Sequence, residues 1–153
     1  MRNTIKITGK IDFKIVSADG IIKDSWTVHN AIMNAGFAQL ALLAGDATAV
    51  PFTYLAVGTS STAVVATQTA LQGEIVDSGL ARASATVSRV TTTVTNDTLK
   101  LYYEWTATGT KTVEEVGVFN AASGVTMLAR ALTTSKIIVA TDKLQVSYNI
   151  KFS

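Results

Sequence analysis

The sequence predicts an all-β fold class: one antiparallel β-sandwich domain over residues 1–153, with about eight or nine strands and one helix. A jelly roll is one form that such a sandwich takes. Two observations lead to this prediction. Apolar and polar residues alternate near both ends of the chain, at 4–15 and 143–152, and the single proline, Pro51, lies outside every assigned strand. We find no internal repeat, linker or charge block, so one domain is expected.

The first predicted strand covers residues 4–15. Its expected core-facing residues are Ile5, Ile7, Ile11, Phe13 and Ile15. Gly9 is the only gap in this apolar row. Ala18-Asp19-Gly20 is typical of a turn, so residues 21–28 are expected to return as the second strand of a hairpin.

One substantial helix is predicted over about residues 31–44. Asn30 can cap its N-terminus, and Gly45 is a suitable stop. The segment is apolar on most sides, so we expect it to pack against a sheet. Polar residues and a glycine interrupt it, and it is too short to span a membrane.

The middle of the chain reads as short elements separated by loops. Residues 52–57 form a predicted buried strand that Gly58 ends, and a Ser/Thr/Ala loop follows. Residues 69–75 could form one helical turn. Residues 81–94 read as a long strand whose apolar phase changes by one residue, which is typical of a β-bulge.

The last third of the chain contains the clearest strands. Residues 99–105 alternate, with Trp105 on the core side, and residues 144–152 alternate equally well. Between them, two β-rich runs at 113–119 and 125–132 flank the loop at 120–124. That loop begins with Asn and ends with Gly, as hairpin loops commonly do.

Composition points to a surface that contacts other protein. The chain is 48% hydrophobic and 16% charged, where a soluble domain usually carries about 25% charge. Threonine occupies 23 positions and keeps a pleated surface polar without charge. An ordinary threonine-rich β domain is an equally good interpretation on composition alone.

The same composition argues against several classes of function. A formal net charge of +2 without a basic run gives no reason to expect a nucleic-acid partner. The absence of cysteine excludes disulfides and zinc–thiolate sites and fits synthesis in a reducing cytosol. No apolar signal core follows Met1, and no membrane partner is expected.

A search for catalytic residues finds none that converge. His29 is the only histidine, and Ser25 and Asp24 are close to it in sequence. Within one strand and turn these side chains have no reason to form a Ser-His-Asp triad, so His29 is expected to be a polar or capping residue. Glu114 and Glu115 would point to opposite faces of a strand and so cannot form an acid/base pair.

One of these glutamates is expected to be partly buried and paired with Arg82 or Arg130. The other acids, Asp77, Asp97 and Asp142, are scattered, which leaves calcium in a loop as a minor alternative.

Two further patterns have only weak functional meaning. The loop at 58–62 lacks the lysine of a phosphate-binding P-loop. Among the aromatics Trp26, Trp105, Tyr102 and Tyr103, alternation places Trp105 and Tyr103 in the core and Tyr102 on the surface, so glycan binding is a minor alternative. The sequence therefore predicts no catalytic, cofactor-binding or metal-ligating residue, and no cofactor.

Several segments in a fixed order resemble a family of small structural proteins of tailed bacteriophages. They are NAIMNAG at 30–36, YLAVGTS at 54–60, ATQTALQGEI at 66–75 followed by Arg82, and VGVFNAASGVTMLAR at 116–130. The resemblance covers roughly residues 5–152. Ser60 departs from it, because glycine is usual there.

The resemblance implies a non-enzymatic virion protein made in the bacterial host cytoplasm. Relatives of this kind are described as capsid decoration or cement proteins and as tail-fibre proteins. We first expect a homo-oligomeric cement protein on the capsid exterior that bridges subunits of the major capsid protein. The alternative is a tail-fibre, tail-tip or baseplate component that contacts tail proteins, including a variant that binds host receptor glycans through Tyr102.

Overall fold

A computed structural model describes residues 4–124 and 126–153, which form ten strands and one helix. The elements are β1 (Ile7–Val16), β2 (Ile22–His29), β3 (Ala31–Ile32), α1 (Asn34–Gly45), β4 (Tyr54–Gly58), β5 (Ala83–Ser84), β6 (Thr86–Val90), β7 (Thr98–Thr106), β8 (Lys111–Phe119), β9 (Met127–Ile138) and β10 (Lys143–Phe152). Eight or nine strands were predicted: the two-residue strand β3 was missed, and the two-residue strand β5 was merged with β6 into one strand.

The strands form two antiparallel sheets of five strands each that pack face to face. Sheet A has the order β2-β1-β10-β7-β6, and sheet B has the order β3-β9-β8-β4-β5. The all-β sandwich is therefore confirmed. The narrower jelly-roll expectation is not established by this order, in which the hairpins β1–β2, β6–β7 and β8–β9 each stay within one sheet.

The terminal strands β1 and β10 lie side by side at the centre of sheet A. Their alternation follows directly from this position, because one face is buried against sheet B and the other is open. Ile11, Phe13 and Ile15 are buried, as predicted. Ile5 was also expected in the core, but it lies before β1 and is 78% exposed. On β10 the predicted apolar row is buried from Leu144 to Ile150.

Asn30 fills the gap that Gly9 leaves in the apolar row of β1. A Cβ atom at Gly9 would overlap the Asn30 amide, whose Nδ2 donates to the buried Tyr148 hydroxyl over 2.8 Å. The predicted capping role of Asn30 is therefore wrong. The helix begins at Asn34 rather than at residue 31, because Ala31–Ile32 instead pairs with β9 as strand β3.

The segment at 81–94 crosses from one sheet to the other, so the predicted single bulged strand is wrong. β5 pairs with β4 in sheet B, and β6 pairs with β7 in sheet A. Between them, the Ala85 N–H donates to the Thr53 carbonyl over 2.8 Å. The predicted change of apolar phase falls between Val87 and Val90, within β6, and so does not coincide with this crossover. The helical turn suggested at 69–75 is also absent from the described residues.

The two sheets differ in what covers their outer faces. The outer face of sheet B lies under the segment 59–82, which we call the cover segment. Helix α1 packs on β9, and its Leu40 and Leu43 contact the core between the two sheets. A second apolar cluster forms beneath this cover from Met33, Ala56, Leu71, Phe119 and Met127. The outer face of sheet A is lined by polar side chains exposed to solvent.

Candidate functional site

A buried ion pair holds the cover segment on sheet B. Arg130 on β9 donates from Nε to Glu115 Oε2 on β8 over 2.7 Å, and both side chains are 0% exposed. The Glu115 carboxylate also accepts from the backbone N–H groups of Gly73 (2.7 Å) and Gln72 (3.1 Å). The predicted pairing of one glutamate with Arg82 or Arg130 is thus confirmed for Glu115 and Arg130.

The guanidinium of Arg130 makes further contacts with the cover segment. Its Nη1 donates to Gln68 Oε1 over 3.0 Å and to the Ala63 carbonyl over 3.4 Å. Its Nη2 is buried and has no partner among the described protein atoms. The pair therefore fixes the two ends of the loop at 63–73 onto one sheet, and removing either charge would leave the other buried and uncompensated.

Gly58, at the end of β4, makes room for this carboxylate. It stands opposite Glu115 in the β4–β8 register, and any Cβ at position 58 would overlap Glu115 Oε1. The Gly in the segment at 54–60 therefore has a packing reason that involves a residue far along the chain.

A second ion pair fixes the loop of the β8–β9 hairpin. Arg82 bonds Glu74 through two parallel contacts, Nε to Oε1 over 2.9 Å and Nη2 to Oε2 over 2.6 Å. Its remaining Nη1 donates to the carbonyls of Ala121 and Gly124 in the hairpin loop. The guanidinium also lies 3.6 Å from the ring centroid of Phe119. The strand start predicted at Val125 lies outside the described residues.

The motifs that carry the resemblance thus meet in one set of internal contacts. The segments at 54–60, 66–75 and 116–130 contribute Gly58, Glu74 and Arg130 to it, and Arg82 and Glu115, which directly precedes the third segment, complete it. Each of these charged side chains bonds other parts of the same chain. The arrangement ties the cover segment and the hairpin loop to sheet B and so stabilises the fold.

The three residues weighed as a triad do not form one. Asp24 and Ser25 are neighbours on β2 and so point to opposite faces. Asp24 is paired with Lys136 at 2.7 Å, and the hydrogen bond from this lysine holds the pKa of the Asp24 carboxyl below its ordinary value. His29 lies at the end of β2, where its Nδ1 is 3.2 Å from the Gly9 carbonyl oxygen.

The scattered acids have separate structural partners. Asp77 pairs with Lys111 at 2.8 Å, and Asp142 pairs with Lys23 at 2.7 Å. Asp97 accepts hydrogen bonds within its own turn. Within residues 4–124 and 126–153 no group of three or more His, Cys, Asp or Glu residues is placed to hold a metal ion. In the same part of the chain no helix has the length and apolar character needed to cross a membrane.

The aromatic residues are mostly part of the core, as predicted. Trp105 is buried and donates to the Ala81 carbonyl over 2.7 Å, and Tyr103 packs edge-on against it. Trp26 is half-buried and stacks on Phe13 with ring centroids 4.9 Å apart. Tyr102 is 37% exposed on the outer face of sheet A, which confirms its predicted surface position.

Helix α1 presents an uncharged apolar surface to solvent. It carries no charged residue, and one side packs on β9 as expected. On the other side Phe37 is 51% exposed and Leu42 is 47% exposed. Val50, whose carbonyl accepts from Gln39 on the helix, adds a further exposed apolar side chain. Exposed apolar side chains on a helix without charge are typical of a protein contact.

Comparison with known proteins gives one family. The family model described as Podophage GP4 fiber I protein gp80 matches residues 24–150. The match begins in β2 and ends in β10, so it includes strands of both sheets, α1 and every motif discussed above. No curated protein and no solved structure matches the chain. The family match confirms the resemblance to phage virion structural proteins.

Proposed function

Because the chain belongs to the family of Podophage GP4 fiber I protein gp80, we propose that it is a fibre component of a phage particle, mounted on the tail apparatus rather than on the capsid shell. The observation that carries this proposal is the family match over residues 24–150. Whether it is mounted on the tail or on the capsid, the chain is a virion-associated structural protein. The fibre name favours tail proteins as partners over the major capsid protein that we first expected.

The role is mechanical, with no chemical step. The polar groups that could suggest chemistry are used in internal ties, above all Glu115 with Arg130 and Arg82 with Glu74. These ties fasten the cover segment and the hairpin loop to sheet B. A fibre component needs a rigid shape more than it needs a reactive group, and this arrangement supplies rigidity.

The uncharged face of α1 supports assembly from several copies of the chain. Two copies can meet there without like-charge repulsion and without removing ions from water. The exposed rings and branched side chains of Phe37, Leu42 and Val50 provide apolar area for such a contact. We therefore place the homo-oligomer contact on this face.

Position on the particle is tested by copy number and by reconstruction of the intact virion. A fibre component should be present in a few dozen copies or fewer and should occupy density at the tail. Copies in the hundreds, with density at junctions of the capsid shell, would replace the fibre role by the decoration role.

Oligomerisation is tested by light scattering of the purified chain. The double variant Phe37→Glu with Leu42→Glu should shift the protein toward monomer, since it introduces like charges on both copies. Val76→Glu is the matched control, because Val76 is 78% exposed and lies in the cover segment. An unchanged mass for the double variant, or a monomeric wild-type chain, would remove α1 from the contact.

A further inference from the structure

The outer face of sheet A contains a trough that runs along β10. The central strand carries the shorter side chains Ser147 and Asn149, and the flanking strands carry lysines. Two adjoining depressions, of ≈ 570 Å³ and ≈ 250 Å³, lie on this face and share Asp12 in their linings. We call this surface the sheet A trough.

Strand register arranges the trough in rows of three side chains. Lys10, Asn149 and Lys100 form one row across β1, β10 and β7. In the next row Ser147 lies between Asp12 and Tyr102. The Asn149 amide is thus flanked by two cations, and the Ser147 hydroxyl is flanked by a carboxylate and an exposed aromatic ring.

Positive charge is concentrated in the trough. Its charged lining residues are the lysines Lys10, Lys14, Lys100 and Lys151 and the aspartate Asp12. Their formal net charge is +3, against +2 for the whole chain. Among the described residues, Lys14, Lys100 and Lys151 form no ion pair, whereas Lys10 lies 3.4 Å from Asp12. Most other lysines are paired with a carboxylate. The trough therefore holds cations available to an external anion.

We propose that the sheet A trough binds an acidic polysaccharide. The lysines would pair with its carboxylates, Asp12 and the amides would bond its hydroxyls, and Tyr102 would lie against a sugar ring. This mixture suits a polymer whose charges are separated by neutral, hydroxyl-bearing units. The proposal goes beyond the fibre role and does not depend on it.

Charge spacing favours this ligand over a nucleic acid. Lys10 and Lys14 are four residues apart on β1, or about 13 Å. Phosphates on a nucleic-acid strand recur about every 3.4 Å along the duplex axis, much more densely. Asp12 lies between the two lysines on the same face and would repel a continuous phosphate backbone. The trough also offers only one exposed aromatic ring, where single-stranded nucleic acids usually stack on several.

The direct test is a binding titration of the intact chain with hyaluronate, whose carboxylates alternate with neutral sugars. Polygalacturonate, with a carboxylate on every sugar, neutral dextran and oligo(dT) serve as comparison probes. The wild-type chain should bind hyaluronate, more weakly as salt rises, and should bind the three comparison probes less well. Absence of binding to hyaluronate, or tighter binding of oligo(dT), would overturn the proposal.

Three variants then locate the binding. Lys14→Gln with Lys100→Gln should weaken binding roughly tenfold, the size expected for the loss of two exposed ion pairs. Ser147→Leu should also weaken it by filling the trough without changing its charge or adding an aromatic ring. Lys111→Gln with Lys136→Gln removes the same charge from outside the trough and should leave affinity within about twofold. Equal losses in both double variants would mean that net charge alone binds the polymer, and the trough would be rejected. A cooperative thermal unfolding transition in each variant confirms that it is folded.

Discussion

The outer faces of the two sheets use charge in opposite ways. On sheet B, Glu115 and Arg130 are fully buried and neutralise each other beneath the cover segment. On sheet A, Lys14 and Lys100 lie on an open face and form no ion pair within the described part of the chain. Both faces belong to five-stranded sheets of the same sandwich, so the difference does not follow from sheet architecture.

This difference in the use of charge separates residues that stabilise the fold from residues that remain free to bind an external partner. A buried ion must be paired, so its geometry is fixed by its partners and its loss is felt as instability. An exposed lysine contributes little to folding, since solvent screens it. Stability measurements can therefore test the division directly, and the expected effects fall from the first variant below to the last.

The largest effect is expected from Glu115→Gln. The variant keeps the shape of the side chain but leaves the Arg130 guanidinium buried without a counter-ion. We expect the free energy of unfolding, measured in urea, to fall by about 3–5 kcal/mol. Glu114→Gln is the matched control, because Glu114 is half-buried at the register shift between Val113 and Glu115 and forms no ion pair among the described residues, and it should change stability by less than about 0.5 kcal/mol.

A compensating variant sharpens this test. Glu115→Leu combined with Arg130→Met removes both charges and should recover part of the lost stability. If Glu115→Gln proved as mild as Glu114→Gln, the buried pair would not be what fastens the cover segment.

The next effect is expected from Arg82→Lys. Lysine can keep one contact with Glu74, but it lacks the planar fork that bonds this carboxylate twice and also reaches the hairpin loop. We expect a loss of about 1–3 kcal/mol of unfolding free energy and faster amide exchange in residues 120–124. The control is Arg89→Lys on the exposed edge strand β6. Unchanged loop exchange would show that the loop is held in some other way.

The features of the fold that could be predicted from the sequence are those that depend on residues close together in the chain. Alternation correctly places Phe13, Trp105 and Tyr148 in the core because burial on one face imposes a period of two. The same period does not say which sheet a strand joins, so the two strands on either side of Ala85 were read as one bulged strand. The cap assigned to Asn30 failed for a similar reason, since its partners Gly9 and Tyr148 are distant in sequence.

The candidate functional surfaces also could be predicted only where their residues are close together in the sequence. A pairing of Glu114 or Glu115 with Arg82 or Arg130 could be predicted, and the pair that forms, Glu115 with Arg130, lies on one hairpin whose strands are adjacent in sequence. The trough row of Lys10, Asn149 and Lys100 could not, because it exists only once β10 lies between β1 and β7. A pattern within one strand carries no information about that arrangement.

A smaller effect, dependent on pH, is expected from Asp97→Ala. The backbone N–H groups of Val94, Thr93 and Thr92 bond the Asp97 carboxylate and hold its pKa well below its ordinary value. Because the folded-state pKa is depressed, the stabilisation is complete above the unfolded pKa and is lost as pH falls through the folded one. The melting-temperature difference from wild type should be constant above about pH 5 and shrink below about pH 4.

The control for this pH dependence is Asp19→Ala, in the exposed turn between β1 and β2. Its difference from wild type should be small at every pH. A constant difference for Asp97→Ala down to pH 2 would mean that the carboxylate does not act through its charge.

The smallest effect is expected from the trough variant Lys14→Gln with Lys100→Gln. Neither lysine has a described ion-pair partner, so unfolding free energy should change by less than about 0.5 kcal/mol. Lys111→Gln with Lys136→Gln breaks two partly exposed ion pairs and should lower stability slightly more. A marked loss of stability in the trough variant would mean that these lysines hold the fold after all. If stability is unchanged while polysaccharide affinity falls, the lysines of sheet A are held for an external partner, in contrast to the charges buried on sheet B.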